Sequence, residues 1–232
     1  MIQGAKITAI VPAAGLGVRM NLGQAKPLVE IRSKPVIIYT LEVLQAHPLI
    51  DKIILVFNKE GFQKACQFVK KYRISKVARV IAGGATRKES VRNGLEAIDP
   101  KTKIVVIHDG VRPFVDEGSI SRVIEEAFVS GAAVLGVPVK STIKKVNTGY
   151  VVEETLKRER LWEIQTPQAF DRELIQKAYL RASSYSAPDD AALVELMGKK
   201  VRVVRGSYFN IKITTQEDLV FAEAIASIKA IE

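Results

Sequence analysis

The stretch Lys6-Ile-Thr-Ala-Ile-Val-Pro-Ala-Ala-Gly-Leu-Gly-Val-Arg-Met20 decides the fold class. It begins with a nearly continuous apolar run, typical of a strand that is buried on both faces of a parallel sheet. The run stops at Pro12, and a turn rich in small residues follows, where backbone N–H groups can approach an anion closely. Ligands of open α/β sheets lie beyond the carboxyl ends of strands. The stretch therefore predicts a strand followed by a phosphate-binding loop.

Later segments of the chain repeat this alternation of strand and helix. Amphipathic stripes, such as the one from Ile120 to Phe128, lie between further apolar runs. Thr86 and Glu89 have the spacing of a capping box at another helix start. This alternation predicts an α/β fold, a three-layer sandwich with a mostly parallel twisted sheet. The predicted strands cover residues 6–11, 52–57, 77–81, 103–107, 132–139 and 201–205, with another late strand at 210–213, and the last helices begin near Arg172, Asp189 and Thr215.

The alternation breaks between about residues 137 and 165. Two short alternating segments, 142–146 and 150–154, flank Asn147-Thr148-Gly149, which is a hairpin pattern. The hairpin is strongly charged and too small to have its own core, so we expect it to pack against another subunit. The prediction is a single domain over residues 1–232 with an inserted dimerisation β-arm at about 137–165, which we call the arm.

Composition excludes several classes of protein. The chain has 232 residues, of which 47% are hydrophobic and 26% charged, enough for a sizeable core. A lone cysteine, Cys66, excludes a disulfide framework, and with only His47 and His108 beside it an ordinary structural zinc site is excluded too. Apolar runs are too short to span a membrane, and no signal core follows the N-terminus. We expect a soluble protein of a reducing compartment, the cytoplasm.

The net charge of +10, from 35 Lys and Arg against 25 Asp and Glu, predicts an anionic partner. Nucleic acid, acidic lipid and phosphorylated metabolites all fit that description. Because the basic residues are spread over the whole chain, charge alone leaves the partner open.

The glycine loop, residues 12–26, carries the first candidate site. Met20 stands where a dinucleotide fingerprint needs a small residue, and a P-loop would need Gly-Lys-Ser/Thr, which the chain lacks. What remains is Gly-x-Gly-x-Arg with a lysine seven residues later, so Arg19 and Lys26 can bring two cations to a polyphosphate. The alternative is a glycine turn with two solvated basic residues.

Two further clusters follow other predicted strands. Asp109, in His108-Asp-Gly-Val-Arg-Pro113, stands at a strand end where a carboxylate can hold Mg²⁺ or a ribose hydroxyl. Arg112 can grip a phosphate bidentately, or the pair can simply stabilise a turn. His108 points the other way and packs structurally. The turn Gly83-Gly84-Ala-Thr-Arg87-Lys-Glu-Ser90 needs its glycines in any case, but a plain turn leaves Arg87 and Ser90 unexplained.

These clusters describe a nucleotide site at one rim of the sheet. The chain lacks the Gly-x-Ser-x-Gly elbow of a hydrolase and the paired carboxylates of a glycosidase. A phosphate nucleophile is already ionised near neutrality, so it needs only alignment and charge neutralisation. The motifs fit transfer to a phosphate.

Taken together, the motifs resemble the 2-C-methyl-D-erythritol 4-phosphate cytidylyltransferases, a family within the nucleotidyltransferases. The matching segments, in family order and over nearly the whole chain, are 11–20, Lys26, 108–113, 161–170 and 210–214. The resemblance implies transfer of the cytidylyl group of CTP to 2-C-methyl-D-erythritol 4-phosphate, with release of pyrophosphate, in the non-mevalonate isoprenoid pathway. It also implies Mg²⁺ or another divalent cation as cofactor.

The resemblance implies a role for each residue that matches a family motif. Arg19 and Lys26 are the implied catalytic residues, which stabilise the pentacoordinate α-phosphorus. The implied nucleotide-binding residues are Pro12, Ala13, Ala14, Gly15, Gly17, Gly83, Gly84, Ser90 and Asp109, the last also being the metal ligand. The implied substrate-positioning residues are Arg112, Thr142, Arg158, Thr166 and Lys212. Because the family's arm crosses to the partner subunit, we expect a homodimer whose sites combine one subunit's glycine loop with the other's Arg158 and Thr166.

Three other functions stay open. Ribitol-5-phosphate cytidylyltransferase shares most of these motifs, although Val11-Pro-Ala-Ala and Arg158…Leu161-Trp162 favour the methylerythritol enzymes. The chain departs from the family pattern at positions that bear on base and polyol preference: Pro27, Ala85, Ser141 and Pro188. A non-catalytic nucleotide sensor would not need Lys26, and an RNA-binding domain would need aromatic platforms, yet aromatic residues are only 6%. We expect neither nucleic acid nor a membrane as partner.

Overall fold

The computed structural model describes residues 4–15, 26–182 and 185–229, without the side chains of Lys26 and Lys229. The strands are β1 (Lys6–Ala13), β2 (Glu30–Ile31), β3 (Lys34–Pro35), β4 (Lys52–Phe57), β5 (Val77–Ala82), β6 (Thr102–Ile107), β7 (Ala132–Pro138), β8 (Lys144–Val146), β9 (Val152–Thr155), β10 (Trp162–Asp171) and β11 (Arg202–Arg205). The helices are α1 (Val36–Ala46), α2 (Phe62–Lys71), α3 (Arg87–Ala97), α4 (Glu117–Ser130), α5 (Arg172–Arg181), α6 (Ala191–Glu195) and α7 (Gln216–Lys229). Single 3₁₀ turns cover Lys26–Leu28 and Arg158–Arg160.

A seven-stranded sheet in the order β11-β7-β10-β6-β1-β4-β5 forms the centre of the molecule. β1 pairs in parallel with β4 and β6, and β4 with β5, as their apolar runs predict. β10 is antiparallel to both of its neighbours, β6 and β7. The predicted α/β fold with a mostly parallel sheet is confirmed, and one long antiparallel strand is added to it.

Helices cover both faces of this sheet and make the three predicted layers. Strand alternation sends Ile7, Ala9 and Val11 of β1 into the core beneath α1, α2 and α4. Ile10 of the same strand points to the opposite core, beneath α3, α5 and α6. A third, smaller cluster packs α7 against the β2–β3 pair.

Side-chain caps begin α3 and α4, and the sequence predicts the one at α3. The Thr86 hydroxyl accepts a hydrogen bond from the Glu89 backbone N–H at 3.1 Å, which begins α3. The Glu89 carboxylate reaches the backbone N–H of Ala85 instead of Thr86, so it secures the preceding turn. Asp116 caps α4 by accepting from the Ser119 N–H at 2.7 Å.

The structure differs from the predicted elements in three places. The expected late strand at 210–213 is wrong: this segment is irregular, and the Ile213 N–H bonds singly to the Val111 carbonyl. The arm hairpin is shorter than predicted, because Asn147 Oδ1 accepts from both Gly149 and Val151 and widens the turn. β10 and the β2–β3 pair were not predicted. Within the described part of the chain, no helix is long and apolar enough to cross a membrane.

Candidate active site

A cavity of about 830 Å³ opens at the carboxyl ends of β1, β4 and β5. This is the edge where parallel α/β sheets bind ligands. The segment 212–214, which follows the irregular stretch after β11, closes one side of it. The cavity wall includes these predicted site residues: Pro12, Ala13, Ala14, Gly15, Gly83, Gly84, Ser90, Asp109 and Lys212.

Gly83 allows the ends of β1 and β5 to approach each other closely. A Cβ atom at Gly83 would lie 2.5 Å from Ala14 Cβ and 2.8 Å from Ser90 Oγ. Ser90 Oγ accepts from the Gly84 N–H at 3.2 Å and donates to the Thr86 carbonyl at 2.9 Å. The serine therefore shapes the double-glycine turn, and a larger residue at Gly83 would clash with Ala14 and Ser90 and displace the turn.

Asp109 is the centre of the charged part of the cavity wall. Its Oδ1 accepts from Arg87 Nε at 3.1 Å, and its Oδ2 lies 2.8 Å from Lys212 Nζ and 3.7 Å from Arg112 Nε. Burial alone would raise the pKa of this carboxyl, but Arg87, Lys212 and Arg112 outweigh burial and lower it. We call these four residues the Asp109 cluster. Its three cations exceed its one anion, so the cluster attracts phosphate.

Arg112 is held within the fold more tightly than the sequence suggests. Its Nη1 donates to the Asn210 carbonyl at 2.7 Å, while its buried Nε has no hydrogen-bond acceptor among the described residues. Burial lowers the pKa of this guanidinium, against the opposing effect of Asp109. The turn-stabilising pairing with Asp109 is present, and Arg112 does not line the described cavity.

His108 has the structural position that strand alternation predicts. The Arg112 carbonyl can only accept, so His108 Nε2, 3.0 Å from it, carries the proton of the neutral ring. His108 Nδ1 is then the acceptor for the Thr166 hydroxyl at 3.0 Å, and the same hydroxyl accepts from the Asp109 N–H at 3.0 Å. Burial lowers the pKa of His108 to about 4, so the ring stays neutral near pH 7.

The Thr166 side chain faces the Asp109 backbone of its own chain, and its role in a partner's active site stays a prediction. Thr166 lies just beyond the arm, where β10 enters the sheet between β6 and β7, and its hydroxyl supports the Asp109 backbone of the same chain. The Asn210 amide also donates to the Thr166 carbonyl at 2.8 Å. Thr166 is thus a buried support of the Asp109 cluster.

Other predicted residues are not brought to the described cavity. Thr142 and Arg158 lie on the exposed arm, and Arg158 Nη1 donates to the Lys140 carbonyl at 2.8 Å. Gly17 and Arg19 lie outside the described residues. Lys26 begins a 3₁₀ turn whose second residue, Pro27, lines the cavity, so the end of the glycine loop reaches the site.

Sequence reasoning missed two sets of residues here. Asn58, Lys59 and Glu60 line the cavity directly after β4, and their position at a strand end was a usable signal. Asp190, which accepts from Arg87 Nη2 at 2.8 Å, is distant in sequence, so no local pattern could have indicated it.

Among the described residues at the cavity, Asp109 could contribute one ligand to a magnesium ion that takes the others from substrate and water. Among the described residues no group of three or more His, Cys, Asp or Glu side chains could hold a metal ion. Asp109 offers one carboxylate, and both of its oxygens already face cations. Magnesium often binds through one or two carboxylates together with substrate phosphates and water.

Comparison with known proteins agrees with this geometry. The family model described as 2-C-methyl-D-erythritol 4-phosphate cytidylyltransferase matches residues 7–227. A protein of that name from Syntrophus aciditrophicus is 48% identical over 222 residues, covering 94% of this chain and 95% of the relative. Its namesake from Halalkalibacterium halodurans is 45% identical over 224 residues, covering 96% of this chain and 97% of its own.

Solved structures give the same result. The crystal structure of the 4-diphosphocytidyl-2C-methyl-D-erythritol synthase from Anaerococcus prevotii superposes with a TM-score of 0.86 at 37% identity, covering 97% of this chain and 98% of that one. The 2-C-methyl-D-erythritol 4-phosphate cytidylyltransferase from Thermus thermophilus has a TM-score of 0.80 at 31% identity, covering 96% of this chain and 99% of its own. The fold, the rim motifs and these matches show that the chain belongs to the 2-C-methyl-D-erythritol 4-phosphate cytidylyltransferase family.

Proposed function

We propose that the chain transfers the cytidylyl group of CTP to 2-C-methyl-D-erythritol 4-phosphate at this cavity. The observation that carries the proposal is the Asp109 cluster, a positively charged group beside a cavity walled by small residues. The glycine-lined end suits a nucleotide, and the Lys212 end suits a second phosphate.

The chemistry needs no general base. An oxygen of the methylerythritol phosphate attacks the α-phosphorus of CTP, the bond from that phosphorus to the bridging oxygen of the β-phosphate breaks, and pyrophosphate leaves. Arg19 and Lys26, by their place in the glycine loop, stabilise the charge that develops on the α-phosphate. Positioning of two anionic substrates supplies the remaining acceleration.

We divide the remaining residues between the two substrates. Asp109 faces the ribose and phosphates. The residues whose backbone and small side chains bind cytosine and ribose are Pro12, Ala13, Ala14, Gly15, Gly17, Gly83, Gly84 and Ser90. Arg112 and Lys212 hold the methylerythritol phosphate, and Thr166 positions them through Asp109.

A divalent cation, Mg²⁺ in the first place, belongs to this proposal. Asp109 is the buried carboxylate that would help hold it, with the nucleotide phosphates as its main ligands. When bound, the ion neutralises phosphate charge and orients the leaving pyrophosphate.

We also propose a homodimer formed through the arm. All residues of β8 and β9 are exposed, and an isolated two-stranded hairpin is marginally stable at best. Apolar residues on the arm are open to solvent as well: Val146, Tyr150, Val151, Val152, Trp162 and Ile164. Such a surface suits association with a second copy, which would carry Thr142 and Arg158 towards the partner's site.

The test is pyrophosphate release from CTP with each of two acceptors, methylerythritol 4-phosphate and ribitol 5-phosphate, at equal concentration. We expect release with the first acceptor and Mg²⁺, and at most a trace with the second. Faster turnover of ribitol phosphate would favour the ribitol enzyme, whereas CTP binding without release would favour a nucleotide sensor. Loss of activity in a chelator, restored by added Mg²⁺, would support the metal requirement.

A further inference from the structure

Arg87 connects Asp109 to two buried side chains, Asp190 and Tyr179, which do not line the described cavity. The Arg87 guanidinium donates from Nε to Asp109 Oδ1 at 3.1 Å and from Nη2 to Asp190 Oδ2 at 2.8 Å. The other oxygen of Asp190 accepts the Tyr179 hydroxyl at 2.5 Å. We call Tyr179, Asp190 and Arg87 the anchor chain. It joins α5, the segment before α6 and the start of α3 to the cavity wall.

Burial makes this chain of contacts rigid. Asp190 is 1% exposed and Tyr179 is 4% exposed, and a buried charge that loses its partner is strongly unfavourable. Burial would lower the pKa of Arg87, but Asp190 and Asp109 outweigh it and raise that pKa. Burial, and then Asp190, raise the pKa of Tyr179. The guanidinium therefore stays charged and the phenol stays protonated, as both hydrogen bonds require.

Asp109 links the position of Arg87 to that of Lys212, which lies at the substrate end of the cavity. Its two oxygens are rigidly related, so Arg87 on Oδ1 fixes the orientation of Oδ2, which lies 2.8 Å from Lys212 Nζ. A guanidinium that lost its second carboxylate could turn, and Lys212 would move with Asp109. Misplacement by about 1 Å can cost an enzyme a hundredfold in rate.

We propose that Asp190 and Tyr179 are positioning residues for the transfer reaction, acting through Arg87 on Asp109 and Lys212. This rests on the proposed function. Neither residue lines the described cavity.

The carboxylate of Asp190 is not the sole support of its own segment. Gln168 accepts from the Ala191 N–H at 3.1 Å and donates to Asp189 Oδ2 at 2.8 Å. Asp189 Oδ1 accepts from the Ala192 N–H at 2.9 Å. These bonds hold the turn before α6 without Asp190, so an isosteric change at Asp190 tests its charge with the turn in place.

The experiment is a double-mutant cycle on kcat/KM for the acceptor phosphate, using Asp190→Asn, Arg87→Gln and the double variant. We expect Asp190→Asn to lower kcat/KM about tenfold and Tyr179→Phe about threefold, on the scale of one charge-assisted and one ordinary hydrogen bond. The double variant should cost no more than Arg87→Gln alone, because both changes break the same chain. Arg92→Gln, on an exposed position of the same helix, should equal the parent.

Additive effects in the cycle would overturn the proposal, since they would show that Asp190 does not act through Arg87. So would Asp190 and Tyr179 variants that melt at a lower temperature yet keep the parent's kcat/KM, which is the behaviour of purely structural residues. If Asp190→Asn does not fold, Tyr179→Phe decides, because it removes one hydroxyl and keeps the ring. An inactive parent would refute the proposed function instead, a result distinct from an active parent with unaffected variants.

Discussion

The Asp109 cluster and the arm are both rich in charge, yet they are built in opposite ways. The Asp109 side chain is 7% exposed and contacts three cations of its own chain. On the arm, every residue of β8 and β9 is exposed, and the ion pair Lys145–Glu153 joins side chains that are 63% and 43% exposed. Exposed pairs of this kind contribute little to stability.

The difference in burial indicates that the Asp109 cluster takes its binding geometry when the chain folds, and the arm when two chains associate. The side chains of the Asp109 cluster lose their freedom when the chain folds, so the site needs little rearrangement to bind phosphate. Thr142 and Arg158 lie on the exposed arm, and in the proposed dimer they would reach an active site only by association. On this view one end of the active site is complete in a single chain and the other depends on a second copy.

The largest loss of activity is expected when a cation of the glycine loop is removed. Lys26→Ala should lower kcat by about 10²–10³, the typical loss for one group that stabilises transition-state charge. The melting temperature should stay near that of the parent, because the sequence around this lysine has no apolar periodicity. Lys64→Ala, an exposed lysine of α2, is the matched control. A folded Lys26 variant with most of its activity would contradict the catalytic role.

Lys212 tests the substrate end of the Asp109 cluster. Lys212→Ala should raise KM for the acceptor phosphate about tenfold or more, the scale of one hydrogen bond to a charged group, and leave KM for CTP nearly unchanged. Steady-state kinetics with each substrate varied in turn measure both constants. Lys200→Ala, an exposed lysine outside the described cavity wall, should alter neither. Equal increases for both substrates would refute the division between the two ends.

The sequence predicts six of the seven strands of the central sheet, all except β10. β1, β4 and β6 are predicted from apolar runs because strands buried on both faces need them. β10 escapes that rule: Pro167 cannot donate to a ladder, which argues against a central strand. In the structure Pro167 falls within a register shift between Ile164 and Gln168, where pairing with β7 is interrupted. The proline thus stands where the ladder needs no donor.

The candidate site also contains residues that the sequence predicts and residues that it does not. Residues at strand ends, such as Gly83 and Asp109, are predictable because parallel strands end at a common edge. The partners that fix them are not: Arg87 meets Asp190 across 103 residues, and Thr166 reaches Asp109 across 57. Only tertiary packing creates these contacts.

His108 provides a test of how far the buried cluster depends on pH. Its pKa is lowered by burial to about 4, so between pH 6.5 and 4 the unfolded chain binds a proton there that the folded chain excludes. Stability therefore falls as pH falls through this window. From pH 7 to pH 5 the loss from this group should be about 2 kcal/mol.

Urea unfolding of the parent and of His108→Gln at both pH values measures that loss. A glutamine can keep a donor towards the Arg112 carbonyl and an acceptor towards Thr166, so the variant should fold, with a lower stability at pH 7. Its stability should change less between pH 7 and pH 5 than the parent's, by about 2 kcal/mol. His47, whose pKa burial also lowers, is present in both proteins and cancels. Parallel pH dependences would show that His108 is not kept neutral.

The arm prediction concerns the smallest expected signal, a partial return of activity in mixed dimers. It tests directly whether the arm serves the partner's active site. Lys26→Ala and Arg158→Ala are each expected to be inactive, the first through the glycine loop and the second through the arm. If the two chains are unfolded together in equal amounts and refolded, about half of the dimers combine one of each. When an arm serves the partner's site, one site of a mixed dimer collects both lesions and the other collects neither. About one quarter of the parental activity should then return. If each site is built within one chain, every site keeps a lesion and no activity returns.

Sedimentation of the parent gives an independent check, since a monomer at assay concentrations would leave Arg158 on an arm with no partner, and the arm would then have no share in the site.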